Sequence, residues 1–173
     1  MAGNDSLHIE IDQQAGAWPQ DWLDATRSIL NHAFDAYHQQ VKDQMQQADS
    51  PLQLSVPQLS ILLGDNDLLQ ALNQQWRGKD KPTNVLSFPN LFDAALMPNM
   101  PILLGDIALS YDYIMNEAHQ QQKAPLDHYS HLLIHGLLHL LGETHDQEDD
   151  AAHMEGLEIA ILAQINIKNP YEM

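Results

Sequence analysis

Apolar side chains recur at every second position in several early segments of this chain and at every third or fourth position through its later part. The first period belongs to strands and the second to helices. LHIEI at 7–11 alternates as a half-buried strand does and is followed by a turn around Gly16. From Pro19 to about Gln40, Trp22, Ala25, Ile29, Ala33, Phe34 and Tyr37 return at three- and four-residue intervals, and Pro19 suits a first helical turn. The polar QMQQADSP reads as a loop. QLSILL at 58–63 is a second strand, and GDND caps a helix from about Asn66 to Trp76. NVLSFP is a third strand, whose proline suits a strand end or an edge. The stretch Leu91–Pro101, with two prolines and no period, reads as a loop. LLGDIALS is a fourth strand, in which Gly105 marks a bulge or the close approach of another backbone. Helices follow at YDYIMNEAHQQQ, at about Leu126 to Leu141, and at about Glu148 to Gln164 with Met154, Leu157, Ile161 and Ile165 inward. The order predicts one α+β domain over residues 1–173, a small mixed sheet of about four strands covered by helices.

The most specific chemistry lies in HGLLHLLGETH. Residues four apart on a helix share a face, so His135 and His139 point the same way. Gly142 stands where a helix exit needs a left-handed residue, which lets the chain turn and return His145 toward the first two. Neutral imidazoles suit zinc, and three of them leave a fourth position open, as in catalytic sites. The four positions coincide with the zinc-protease signature HExxHxxGxxH, except that Gly136 replaces the glutamate that acts there as general base. The substitution argues against peptide hydrolysis and leaves the metal cage intact. His131 extends the same stripe and is expected to support the site. His128 is read as an ordinary half-buried histidine, and His153 as a solvated helix residue.

At 173 residues the chain can bury roughly two thirds of its unfolded surface around one core. It has no cysteine, which excludes disulfides and thiolate metal sites. No apolar run approaches the roughly 20 residues that span a membrane. MAGNDSLHIEID shows neither a basic leader nor an apolar core, so a cytoplasmic protein without a membrane partner is expected. The net charge of −17 argues against a general nucleic-acid surface, and no DNA partner is expected. Placement modifies that conclusion: Arg77, Lys79 and Lys81, three of the seven bases, lie in RGKDK, whereas residues 143–158 carry seven acids and no base.

Three segments, NQQWRGKDKPTNVLSFP from Asn73, LLGDIALS from Leu103 and HLLIHGLLHLLGETHDQEDDAAHMEGLE from His131, resemble the YbeY family of metal-dependent endoribonucleases. The resemblance implies a mixed sheet flanked by helices and one Zn2+ per chain on His135, His139 and His145. It further implies a required Arg77, and action on single-stranded RNA in ribosome quality control and in maturation of the small-subunit rRNA 3′ end, with the ribosome or its proteins as partner. His135 and Arg77 are then the catalytic residues. Two departures bear on the support of His145 and the loop. Glu143 and Thr144 stand where the family usually has an aromatic residue and an aspartate, and Asn84 stands where aspartate is frequent. Two further readings remain open: a ribosome-associated zinc-binding factor with little cleavage, and a metal-dependent hydrolase of a non-RNA substrate.

Overall fold

The structure, a computed structural model, describes residues 5–42, 56–90 and 101–172. The loop QMQQADSP and the loop expected from Leu91 lie outside the described residues, apart from Pro101. Among the described residues the elements are β1 (His8–Gln13), α1 (Gln20–Lys42), β2 (Gln58–Gly64), α2 (Asn66–Arg77), β3 (Val85–Pro89), β4 (Leu103–Ser110), α3 (Tyr111–Gln120), α4 (Pro125–Leu140) and α5 (Glu148–Gln164). Each element expected from the hydrophobic period is present, with ends shifted by one or two residues.

The sheet order is β1-β2-β4-β3. β1, β2 and β4 run parallel, and β3 is antiparallel to β4. Pro89 therefore closes an edge strand, where its missing N–H costs no ladder bond. At Gly105 both sequence expectations hold. The β2/β4 register slips there, with Gln58 opposite Leu103 and Leu59 opposite Gly105. Its φ is +134°, and a Cβ would lie 2.1 Å from the Phe88 carbonyl oxygen, so only glycine fits.

Side chains alternate across the sheet and build two cores. Ile61, Leu63, Ile107 and Leu109 face the larger one, with Leu30 of α1, Leu133 and Leu137 of α4, and Ile161 of α5. Leu62, Leu86, Phe88 and Ala108 face the smaller one, under Leu69 and Leu72 of α2. The longer parallel strands, buried on both faces, thus read as near-continuous apolar runs.

Helix α4 lies in the middle of the larger core, with Leu132, Leu133, Ile134, Leu137, Leu138 and Leu140 all buried. Truncating one such leucine to alanine costs about 2–5 kcal/mol. Its first turns are fixed by Tyr129, which stacks on Trp22 at 4.9 Å between ring centroids and shares a 2.7 Å hydroxyl hydrogen bond with Thr26. Gly136 lets α4 press onto the sheet: a Cβ there would lie 3.0 Å from Ile107 Cγ2 and 3.2 Å from Ser87 Oγ. A side chain at this position would press on Ile107 and Ser87, which would have to give by a few tenths of an ångström.

A candidate metal centre facing a basic loop

The leucine face of α4 packs inward, which leaves His135 and His139 one turn apart at the margin of the core. Beyond Leu140 the helix closes through Gly142, whose φ is +99°. The Gly142 amide donates to the His139 carbonyl at 3.1 Å and the Glu143 amide to the Leu138 carbonyl at 3.0 Å, the Schellman pattern. The reversed chain returns His145, whose ring centroid lies 5.6 Å from that of His135 and 4.8 Å from that of His139. One ligand atom from each of the three histidines lies within 4.8 Å of the others. The spacing read from the sequence thus brings all three together.

Hydrogen bonds fix how the first two rings present themselves. His135 donates from Nδ1 to Glu158 Oε1 at 2.5 Å, and His139 donates from Nδ1 to the Glu143 carbonyl at 2.9 Å. In the neutral rings both Nε2 atoms are then bare acceptors, and they face each other at 3.1 Å. Two lone pairs so placed repel unless a cation lies between them. The edge of a tetrahedron with zinc–nitrogen bonds of 2.0–2.1 Å is about 3.3 Å, so the donor set fits a metal ion. Burial, the neighbouring His135 ring and His145 hold His139 below the ordinary histidine value against the Glu143 carbonyl, and so in the neutral, ligating form.

Glu158 organises the rear of the centre. It is fully buried, and its second oxygen accepts from His131 Nε2 at 2.9 Å and from the Tyr171 hydroxyl. Burial pushes its carboxyl up, but hydrogen bonds from His131, His135 and Tyr171 outweigh that and hold it down at about 2. Burial and the adjacent carboxylate push Tyr171 up, so it remains a donor. His131, His135 and Glu158 are also close enough to hold an ion. Their nitrogens and oxygens already face one another in hydrogen bonds, however, which makes this group the support of His135. His131 thus has the supporting contact that was expected. The role of Glu158 had been missed, although the signal was present: it falls four residues after Met154 on the inward stripe of α5, where a carboxylate needs partners.

His128 is only 4 % exposed, more deeply placed than an ordinary half-buried histidine. It donates from Nε2 to Glu117 Oε2 at 2.7 Å, and Asn84 Nδ2 donates to the same oxygen at 2.9 Å. Asn84 therefore ties β3 to α3 and α4. Glu143 accepts from the Tyr37 hydroxyl at 3.0 Å, and His153 stands half-exposed 3.6 Å from its other oxygen.

Across from the histidines lies the basic loop. Helix α2 is capped at its start by Asp65, which accepts from the Leu68 amide, and ends at Gly78 in the left-handed conformation. Asn73 donates to the Lys81 carbonyl and Gln70 to Asp80, both at 2.8 Å, pinning RGKDK against the helix. Arg77, Asn84 and Ser87 line one side of a cleft of about 440 Å³, and His135, His139, Thr144, His145 and Asp146 line the other. Arg77 and the three histidines, 58 residues or more apart in the chain, therefore open onto one space.

The family model described as Endoribonuclease YbeY matches residues 20–166. A Paramagnetospirillum magneticum protein named Endoribonuclease YbeY is 51% identical over 118 residues, covering 67% of this chain and 72% of its own length. One of the same name from a Chelativorans species is 39% identical over 170 residues, covering 98% and 96%. The solution structure of a Thermotoga maritima protein superposes with a TM-score of 0.53 at 19% identity, over 95% of this chain and 96% of that one, which bears on the fold. With a family model spanning most of its length and relatives this similar along nearly all of it, the chain belongs to the Endoribonuclease YbeY family.

Proposed function

We propose that this chain is a zinc-dependent endoribonuclease that cuts single-stranded RNA in the cleft between Arg77 and His135. Its place is the cytoplasm, in maturation of the small-subunit rRNA 3′ end and in ribosome quality control, with the ribosome or its proteins presenting the RNA. One observation carries the reading: a guanidinium and three clustered histidines open onto the same cleft, while Gly136, tight against Ile107 and Ser87, stands where a zinc peptidase has its carboxylate.

The chemistry divides among named groups. His135 and His139 through Nε2, together with His145, would hold one zinc ion, which supplies Lewis acidity toward a phosphoryl oxygen and the attacking water. Arg77 offers a planar fork of donors to the phosphate and stabilises the charge that grows on it. Glu158 has both oxygens engaged and acts on orientation: it fixes the tautomer of His135 and raises the basicity of that ring. Thr144 and Asn84 shape the two walls.

The charge of −17 confines RNA contact to the cleft and its basic loop. Free RNA is then bound weakly and with steep salt dependence, which favours presentation by the ribosome. Flexible strands enter a concave site more readily than a duplex does.

The test compares one RNA sequence as a single strand and as an annealed duplex, cut by protein of measured metal content, before and after metal removal and zinc restoration. Selective cleavage of the single strand that disappears with the metal and returns with zinc is expected. Equal cleavage of the duplex, or cleavage indifferent to metal, contradicts the proposal. Bound metal without cleavage of either moves the reading to a ribosome-associated binding factor.

A further inference from the structure

The apolar stripe of α2 runs Leu69, Leu72, Trp76, at the i, i+3, i+7 spacing of one helix face. Its first members pack on the sheet: Leu69 is fully buried and Leu72 is half-buried. Trp76 continues the stripe beyond the sheet and is 64 % exposed. Its aromatic neighbour among the described residues is Phe88 on the edge strand β3, edge-on at 6.2 Å between centroids and 64° between planes. A tryptophan that exposed presents open ring surface to solvent. Leaving the largest apolar side chain in water at the end of a well-packed helix forgoes burial worth having.

The surroundings indicate what covers it. Trp76 is bonded to Arg77, and Phe88 lies between Ser87 and Pro89; all three of those residues line the histidine cleft. Trp76 thus adjoins the cleft through Arg77, its neighbour in the chain, and its ring meets Phe88 on the α2 face of the sheet, where Phe88 packs with Leu69 and Leu86. Arg77, Lys79 and Lys81, all exposed, follow Trp76 within five residues and concentrate positive charge in this loop of a strongly acidic chain, while the intervening Asp80 is tied back to Gln70. A face for a protein partner would want further exposed apolar residues around the ring. The other large exposed ones among the described residues, Val56, Leu103 and Tyr171, belong to other segments. Among the described residues, an exposed aromatic followed closely in the chain by three cations suits a planar π-system that carries phosphates.

We infer that Trp76, backed by Phe88, is a stacking platform for one nucleobase of a single-stranded RNA whose neighbouring phosphate meets Arg77. The inference rests on RNA being the substrate, as proposed above, and adds a base-binding position to the phosphate site. The platform is held ready. Gly78 ends the helix directly after Arg77, and the Asn73 and Gln70 hydrogen bonds hold the loop, so little ordering is needed when a base arrives. Because every base has a π-face, the position gives affinity with little sequence preference.

The experiment reads binding, so that its failure and that of the cleavage proposal are distinguishable. Trp18 and Trp22 are 7 % and 6 % exposed, which makes Trp76 the indole open to iodide quenching. The full-length chain and its Trp76→Ala and Trp76→Phe variants, each checked for unchanged thermal unfolding, are titrated at low salt with a short single-stranded RNA. Inorganic polyphosphate of matched charge serves as the probe without bases. RNA should shield Trp76 from iodide, Trp76→Ala should bind RNA roughly tenfold more weakly, and Trp76→Phe should recover much of the loss. Polyphosphate should bind all three alike. Equal RNA affinity for wild type and Trp76→Ala overturns the inference, as does an equal loss toward polyphosphate or a Trp76 that iodide cannot reach. RNA bound through Trp76 but never cut would leave the platform standing and sink the endoribonuclease. Cleavage and binding that ignore Trp76→Ala would do the reverse.

Discussion

The two walls of the cleft are built on opposite physical terms. On the α4/α5 wall, the groups behind His135 are withdrawn from water and tied to one another, with Glu158 fully buried and serving His131, His135 and Tyr171 together, while His145 stands exposed at the helix exit. On the α2/β3 wall the positive charges stay in solvent, with Arg77, Lys79 and Lys81 all exposed and the loop held through the Lys81 carbonyl by Asn73 and through Asp80 by Gln70. A metal cage needs rings fixed to within tenths of an ångström and deprotonated nitrogens, which burial and hydrogen bonds provide. The phosphate grip proposed for Arg77 needs charge that the substrate can reach, which exposure provides. One wall sets geometry and the other supplies field. They should fail differently when altered.

The largest effect is expected where the walls meet. Gly136→Glu inserts a side chain against Ile107 and Ser87, and should destabilise the fold by about 1–3 kcal/mol or more without creating a peptidase. Chemical denaturation and a peptide-cleavage assay check both halves. Glu158→Gln acts on the buried wall alone. Losing the charge that orients His135 should weaken zinc binding about 10–100-fold by competition with a chelator, while phosphate affinity at Arg77 stays unchanged.

The link between the walls is smaller and depends on pH. Burial pushes Glu117 up, but hydrogen bonds from His128 and Asn84 and the nearby charges outweigh it and hold it below its ordinary 4.5. A carboxylate lowered in the folded state stabilises above its unfolded value and loses that contribution as the pH falls through the folded one. Glu117→Gln should therefore cost about 1–2 kcal/mol near neutrality, and the difference from wild type should shrink as the pH falls through 4.5 and below. Denaturant unfolding along that range reads the trend, and a difference that grows in acid contradicts it. Tyr171→Phe removes one of the donors to Glu158 and should have the smallest effect, a few-fold loss of zinc affinity with the fold intact.

The buried wall was only partly legible in the sequence. HxxxH with Gly142 and His145 is a local pattern, because one helix and its exit carry all three rings, so spacing alone predicted their meeting. Glu158 reaches His135 from another helix, and Tyr171 from beyond it. Such contacts depend on how α5 and the following chain pack against α4, which no local period encodes. The carbonyl that orients His139 belongs to Glu143, a position whose side chain looked like a departure; a backbone acceptor is indifferent to residue identity. The strands and helices were legible because burial on one or two faces writes its period into the chain. Gly136 showed in the sequence which reaction to doubt, and the structure adds how closely α4 packs there, with Ile107 3.0 Å from where a Cβ would stand.

The central claim is that geometry and field, supplied by separate walls, act on one phosphodiester. Its most direct test measures bound zinc and single-strand cleavage on the same preparations of wild type, His139→Ala and Arg77→Ala. The account predicts that His139→Ala loses both zinc and cleavage, and that Arg77→Ala keeps one zinc per chain yet cuts at least about a hundredfold more slowly. An Arg77→Ala protein that retains full cleavage, or a His139→Ala protein that cuts without zinc, would contradict it.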